Sequence, residues 1–260
     1  MLSLARKILG KTLSSQSRRR ARARISYGAD EFSAIYAIGD VHGCYGQLIE
    51  LEQLLLADGA SIEGRKLIVM LGDYVDRGAR SKDVLEHLRK PLPAGFERVT
   101  LCGNHEDAFL DFLTASKPTG GWLELGGQET LYSYGIDATY IMRQGGGIRA
   151  VAEAARLAVP QAHVKLLQEM PIVLSIGTVI FVHAGIRPGI PLDKQTDDDM
   201  MWIREPFLSE GPGLPVKVVH GHTPGPEPVF GKDRICIDTA AFATGKLTAL
   251  KVAGGEVWVM

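Results

Sequence analysis

From residue 33 onward the chain repeats one unit: a short apolar run, a polar string bracketed by glycines, then a stretch with helical spacing. The runs are Ala34-Ile35-Tyr36-Ala37-Ile38, Leu67-Ile68-Val69-Met70-Leu71 and Val99-Thr100-Leu101-Cys102. Apolar runs this short, ended by turn residues, read as strands buried on both faces. Helical spacing follows at 45–56, ending near Gly59. It returns from Ser81, which can cap a helix through Val84, Leu85 and Leu88, with Asp83 in the first turn and a stop before Pro91. A third helical stretch covers 106–113. The units recur about every 30 residues, the length of a βαβ unit.

The rhythm breaks after residue 115. Gly120-Gly121-Trp122, Gly126-Gly127 and the pair Tyr132 and Tyr134 fit no regular period, and 148–170 reads as two helices divided near Pro160. Residues 115–170 are therefore expected to be a helical insertion. Beyond it come short β-rich runs between Gly/Pro turns, at 172–176, 179–182, 216–219, 235–237, 247–252 and 257–259. They predict a second, more antiparallel sheet. The expected fold class is α/β, two central mixed β-sheets packed as a sandwich with flanking helices. Residues 26–260 form one domain in this reading, and 1–25 a basic N-terminal arm.

Charge bears on that arm. The net charge is −1, but the first 25 residues hold Arg6, Lys7, Lys11, Arg18, Arg19, Arg20, Arg22 and Arg24 and no acid. The remaining 235 residues carry 21 basic against 30 acidic side chains. An acidic body argues against nucleic acid as a partner of the main domain. The arm reads as a basic tail, an amphipathic segment touching a membrane surface, or an organelle presequence. No apolar run approaches the roughly 18 residues of a membrane span. The three cysteines, Cys44, Cys102 and Cys236, show no framework spacing and fit free thiols in a reducing cytoplasm. Cys102 and Cys236 read as buried apolar residues; Cys44 follows the first polar string, with no neighbour to act as its base.

The polar strings carry the chemistry. Gly39-Asp40-Val41-His42-Gly43, Gly72-Asp73-Tyr74-Val75-Asp76-Arg77-Gly78 and Gly103-Asn104-His105-Glu106 each end a strand, as do His183-Ala184-Gly185 and His220-Gly221-His222-Thr223. In an open α/β sheet, the carboxyl ends of the strands are where ligands bind. Carboxylate and amide oxygens mixed with imidazoles suit a divalent metal. Of the seven histidines only His87 and His163 fall outside these strings, and they read as surface or core residues.

Five such strings in this order resemble the calcineurin-like metallophosphoesterases, and more narrowly the bacterial phosphoprotein phosphatases, over 33–252. The resemblance implies a sandwich fold and two divalent metal ions, Mn²⁺ first and Fe or Zn²⁺ as alternatives. Asp40 and His42 would hold one ion, Asp73 would bridge, and Asn104, His183 and His222 would complete the second. His220 would stand behind them. Such a pair, about 3.5–4 Å apart, activates a water for in-line attack without a phospho-enzyme. By the same resemblance Arg77 and Arg204 would grip phosphate, His105 would protonate the leaving group, and Asp76 would orient His105. Arg77 as a salt-bridge partner and Asp76 as a turn cap are the plainer alternatives. Glu106 reads as a helix-start charge. The closing string 237–245 departs from the family's pattern, which often has glycines or an aromatic hydroxyl there; Phe242 cannot hydrogen-bond a substrate as a tyrosine could.

The expected function is hydrolysis of phosphoserine and phosphothreonine, in a phosphoprotein or small phosphate ester. The alternative is hydrolysis of a dinucleoside polyphosphate such as diadenosine tetraphosphate, whose enzymes share the opening 39–45. Asp76-Arg77-Gly78 and Glu106 favour the protein phosphatase. A non-catalytic scaffold is the remote third reading. Oligomeric state is not written in the sequence.

Overall fold

The computed structural model describes residues 21–260. Two mixed sheets lie at its centre. The first is built on β2 (Ala34–Ile38), β3 (Lys66–Met70) and β4 (Phe96–Thr100), with β1 (Arg24–Tyr27) in the other sheet. Helices α1 (Tyr45–Ala60), α2 (Ser81–Leu88) and α3 (Asn104–Thr114) follow β2, β3 and β4 in turn. Strands β2, β3 and β4 run parallel. The second sheet takes β5 (Val173–Ile176), β6 (Val179–Val182), β7 (Lys217–His220), β8 (Val229–Gly231) and β9 (Arg234–Cys236), in the order β1-β5-β6-β7-β9-β8.

Alternation along β2 and β3 explains their unbroken apolar runs. Ile35, Ala37, Leu67 and Val69 point between the sheets and meet Leu174, Phe181, Val219 and Ile235. Tyr36, Ile38, Ile68 and Met70 point the other way, into the cluster that holds Leu48 and Leu55 of α1 and Val84 and Leu85 of α2. Side chains that alternate across a strand are thus buried on both faces. Fully burying each such residue is worth roughly 1.5–3 kcal/mol.

The last two strands depart from expectation. Strand β10 (Ala249–Ala253) pairs antiparallel with β2, and β11 (Glu256–Val259) pairs with β10, so both join the first sheet and not the second. The second sheet is also less antiparallel than expected: β1–β5, β6–β7 and β7–β9 are parallel pairs. Periodicity tells which face of a strand is buried, not which edge it joins.

Between α3 and β5 the chain is helical. A π-turn at Leu123–Gly127 leads into α4 (Gln128–Ser133), then α5 (Ala138–Arg143), α6 (Gly147–Ala158) and α7 (Gln161–Glu169). After β6 come α8 (Asp197–Trp202) and α9 (Phe207–Glu210), and α10 (Ala241–Thr244) precedes β10.

Residues 1–20, most of the expected basic arm, lie outside the described residues. The arm cannot extend to residue 25, because Arg24 already belongs to β1. Arg22 is tied down as well. Its guanidinium donates to the carbonyls of Leu167 and Met170 at the end of α7 and to Asp107 of α3, and its backbone N–H donates to Asp197. A cation at a helix carboxyl end is favoured by the helix dipole. Among the described residues no helix is long and apolar enough to cross a membrane.

Candidate active site

All the polar strings end at one rim. Asp40, Asp73 and Asn104 follow β2, β3 and β4, and His183 and His222 follow β6 and β7 of the facing sheet. The turns that carry them are unusual. His42, Asp73, Asp76, Arg77 and His222 all have positive φ, five of the seven such non-glycine residues described. An L residue pays roughly 1–2 kcal/mol for that conformation. Hydrogen bonds hold it in place: the Asp73 carbonyl accepts from the N–H of both Val41 and His42, and Arg77 N–H donates to the Gly126 carbonyl. Gly78 must lack a side chain, because a Cβ there would strike the carbonyl oxygen of His42.

Asp73 sits at the junction of two donor clusters, His42–Asp73–His105 and Asp73–His183–His222, all buried. His42 Nε2 lies 3.5 Å from Asp73 Oδ2, and His183 Nε2 lies 3.3 Å from Oδ1. Asn104 Oδ1 is 2.9 Å from His183 Nε2 and 3.0 Å from His222 Nδ1. His42 Nδ1 donates to the Val75 carbonyl and His183 Nδ1 to that of Leu71. A carbonyl can only accept, so each ring keeps its Nε2 lone pair aimed into the cluster, as a metal ligand requires.

The electrostatics agree. Burial acts to raise the Asp73 carboxyl, but the imidazoles of His183, His105, His42 and His222 outweigh it and hold it below the usual range. Burial lowers His42 to about 3, and lowers His183 and, further, His222. With the Asp73 carboxyl and the imidazoles of His42, His183 and His222 all shifted toward giving up their protons, the cage is left with lone pairs for a cation. Its mixed N/O donors fit divalent metals, and His42, Asp73, Asn104, His183 and His222 are the residues that could hold them.

Asp40 lies at the same rim, buried but outside the two clusters. Its oxygens accept the backbone N–H of His222 at 3.0 and 3.3 Å, and it shares a hydrogen bond with Asp238. Burial, then the charges of Asp238 and Asp73, push it well above the usual carboxylate range. Two carboxyls so placed share a proton unless a cation relieves them.

Beside the first cluster stands a buried pair. Asp76 Oδ2 accepts from His105 Nδ1 at 2.7 Å, and His105 Nε2 faces the Arg77 guanidinium at 3.2 Å. Burial acts to lower His105, but the charges and hydrogen bond of Asp73 and Asp76 prevail and raise it. The segment 120–135, which had no assignment from sequence, builds this pair. Trp122 Nε1 donates to Asp76 Oδ2 at 2.8 Å, and Thr130 Oγ1 donates to Asp76 Oδ1 at 2.7 Å while accepting the Asp76 N–H. Trp122 itself is stacked on Phe109 of α3, ring centroids 4.7 Å apart.

Two sequence readings need correction here. Ser81 is not the cap of α2, which begins after Arg80; its hydroxyl instead accepts the Asp76 N–H. Glu106 is more than a charge at a helix start. Its two oxygens accept the N–H groups of Asp73, Gly103, Tyr74 and Val75, so it clamps the loop that carries Asp73. Burial and then the Asp73 charge push its carboxyl up to about 8, while those donors pull the other way. A glutamate three residues after Gly103 reaches back to the Gly103 N–H at 3.1 Å, the carboxylate half of a capping box and the one sequence signal of this role.

The remaining candidates fall nearby. Arg204 is exposed, with a guanidinium nitrogen 3.5 Å from the His222 carbonyl. His220 is buried behind the rim against Phe207 and the Arg234 guanidinium, and burial lowers it to about 3. His87 pairs with Glu52 on α1, and His163 lies between Tyr134 and Glu86. Cys44 has its thiol raised by burial, which leaves it a poor nucleophile.

The pattern of the family described as calcineurin-like phosphoesterase matches residues 33–250. An asymmetrical bis(5'-nucleosyl)-tetraphosphatase, PrpE, of Bacillus velezensis is 24% identical over 235 residues, 82% of this chain and 87% of that one. In structure the chain is similar to a putative diadenosine tetraphosphatase, with a TM-score of 0.62 at 20% identity, over 93% of this chain and 98% of that one. It is also similar to a cold-active protein tyrosine phosphatase of a Shewanella species, with a TM-score of 0.59 at 18% identity, over 92% and 80% of the two chains. With the family's pattern covering most of its length and a cage of buried imidazoles and carboxylates where its strand ends converge, this chain belongs to the calcineurin-like phosphoesterases, metal-dependent hydrolases.

Proposed function

We propose that this enzyme hydrolyses dinucleoside polyphosphates such as diadenosine tetraphosphate, cleaving one phosphoanhydride with water to give two nucleotides. The observation that carries this reading is the likeness to a bis(5'-nucleosyl)-tetraphosphatase along 82% of the chain. It reverses the order suggested by Asp76-Arg77-Gly78 and Glu106, strings that favour a phosphoserine or phosphothreonine substrate and keep that as the second reading.

In this reading Asp40, His42 and Asp73 would hold one divalent ion, and Asp73, Asn104, His183 and His222 would hold the other. Mn²⁺ is the first choice, with Fe or Zn²⁺ also suited to the donors. Such ions supply Lewis-acid polarisation of phosphoryl oxygens and an acidified water. The chain's own residues do the rest. Arg77 and Arg204 offer forked donors to phosphate oxygens. His105 carries a proton on Nδ1, fixed by Asp76, and with its second proton on Nε2 it is the acid for the departing oxygen. Asp76 favours the charged form of that imidazole; burial raises Asp76, while His105 and then Thr130 and Trp122 oppose it and aim the carboxylate.

The test is a side-by-side comparison with Mn²⁺ of diadenosine tetraphosphate, a phosphoserine peptide and p-nitrophenyl phosphate, with nucleotide products resolved by anion exchange. A higher kcat/KM on the dinucleotide supports the proposal. A higher value on the peptide replaces it with the second reading, and release from none of the three points to the scaffold.

A further inference from the structure

Two large aromatic side chains touch the imidazoles of the donor clusters yet stay open to solvent. Phe242 of α10 is 41% exposed and Trp202 at the end of α8 is 40% exposed. The Phe242 ring lies 5.4 Å from that of His42, edge to face, and the Arg77 guanidinium sits over it at 4.8 Å. The Trp202 ring lies 6.2 Å from that of His222, again near perpendicular. Neither belongs to the apolar clusters that form the core, so packing of the fold does not account for them.

Their placement is paired. His42 and His222 belong to the two different clusters that share Asp73. Beside the first stand Arg77 and Phe242; beside the second stand Arg204, at the His222 carbonyl, and Trp202. Each side therefore presents a forked cation for phosphate next to a partly exposed aromatic ring. A phosphoserine side chain has no ring to set against it. A polyphosphate with a base at either end has two.

We propose that Phe242 and Trp202 are the stacking platforms for the two nucleobases of a dinucleoside polyphosphate, flanking the phosphates gripped by Arg77 and Arg204. This rests on the dinucleoside reading above. Because every base has a π-face, such platforms bind adenine and guanine alike.

The experiment compares Phe242→Leu and Trp202→Leu with wild type on diadenosine tetraphosphate and on inorganic tripolyphosphate, which has the phosphates and no base. Leucine keeps apolar cover over Arg77 and His222 but has no π-face. For each variant the ratio of KM on the dinucleotide to KM on tripolyphosphate should rise about fivefold or more, the low end of a base–aromatic stack. Phe242→Tyr and Trp202→Phe should restore it. Equal changes on both substrates, or an unchanged ratio, would overturn the proposal, since the rings would then only cushion their neighbours. So would a loss confined to a phosphotyrosine peptide.

A binding readout separates this inference from the reading beneath it. In chelator-treated protein, titration with adenosine monophosphate should quench tryptophan emission in wild type and not in Trp202→Phe. Quenching without dinucleotide hydrolysis keeps the platform and sinks the dinucleoside reading. Dinucleotide hydrolysis with neither quenching nor a shifted KM ratio does the reverse.

Discussion

Thr130→Val isolates the network behind the general acid. Thr130 is fully buried, and valine matches its volume, so the change trades a hydroxyl for a methyl and leaves no cavity. Lost are the 2.7 Å donation to the Asp76 carboxylate, the acceptor 2.8 Å from the Asp76 N–H and the 3.1 Å contact with the Ser81 hydroxyl. The N–H is not orphaned, because the Ser81 hydroxyl remains 3.1 Å away. The carboxylate loses one of its three side-chain donors. A hydrogen bond to a buried charge contributes about 1.5–3 kcal/mol. The expected loss is therefore roughly 2–3 kcal/mol, lowering Tm by on the order of 5–10 °C for a chain of this size. Turnover should fall as well, since Asp76 then holds His105 less firmly. Thr130→Ser keeps the hydroxyl and should cost about 1 kcal/mol, the worth of a methyl. In an Asp76→Asn background the valine change should cost at least about 1 kcal/mol less than in wild type, because coupled residues are not additive. Denaturant unfolding of the five proteins (wild type, the two Thr130 variants, Asp76→Asn and the Asp76→Asn/Thr130→Val double variant) decides the matter. A Thr130→Val protein within about 0.5 kcal/mol of wild type, or a serine variant just as damaged, would refute the reasoning.

Three further outcomes are expected. Asp73→Asn removes the carboxylate common to both donor clusters, so it should lower bound Mn²⁺, read by elemental analysis, together with turnover; unchanged metal content would remove Asp73 from the cage. His105→Asn should retain metal but lose about 10²–10⁴-fold in kcat on substrates with poor leaving groups and less on p-nitrophenyl phosphate, and equal losses on both would argue against its role as acid. His163 is lowered below its ordinary value of 6.5 by burial, with Glu86 opposing. Its unfolded form takes up a proton first, so its contribution is complete above pH 6.5 and is lost as pH falls through the folded value. The stability gap between wild type and His163→Gln should thus narrow on acidification, as unfolding curves at pH 8, 6.5 and 5 would show; a widening gap would contradict the burial argument.

The parts legible in the sequence are those where pattern and chemistry coincide. A doubly buried strand must be apolar throughout, and β2 and β6 fall on the runs that predicted them. Each polar string sits at a strand end, and that is enough to bring Asp73, Asn104, His183 and His222 to one rim. The strands that escaped notice lack the signal. Arg24-Ile25-Ser26-Tyr27 lies in a basic stretch and alternates in exposure over only four residues, and β8 is three exposed residues on an edge. Trp122 and Thr130 escaped for another reason: they reach Asp76 across 46 and 54 residues of chain, and no local spacing encodes such a contact. The partnership of Asp40 with Asp238 likewise depends on how two different sheets meet.

The donors hang from both leaves of the sandwich: Asp73 and Asn104 from one, His183 and His222 from the other. An ion seated among them would act as a rivet through the whole molecule. By mass action, a ligand at a hundredfold excess over its Kd adds about 2.7 kcal/mol to the folded state. Metal starvation would then do more than silence the enzyme. It would loosen the two leaves from each other and expose the chain to proteases, so that the supply of a trace element sets how much of the protein survives.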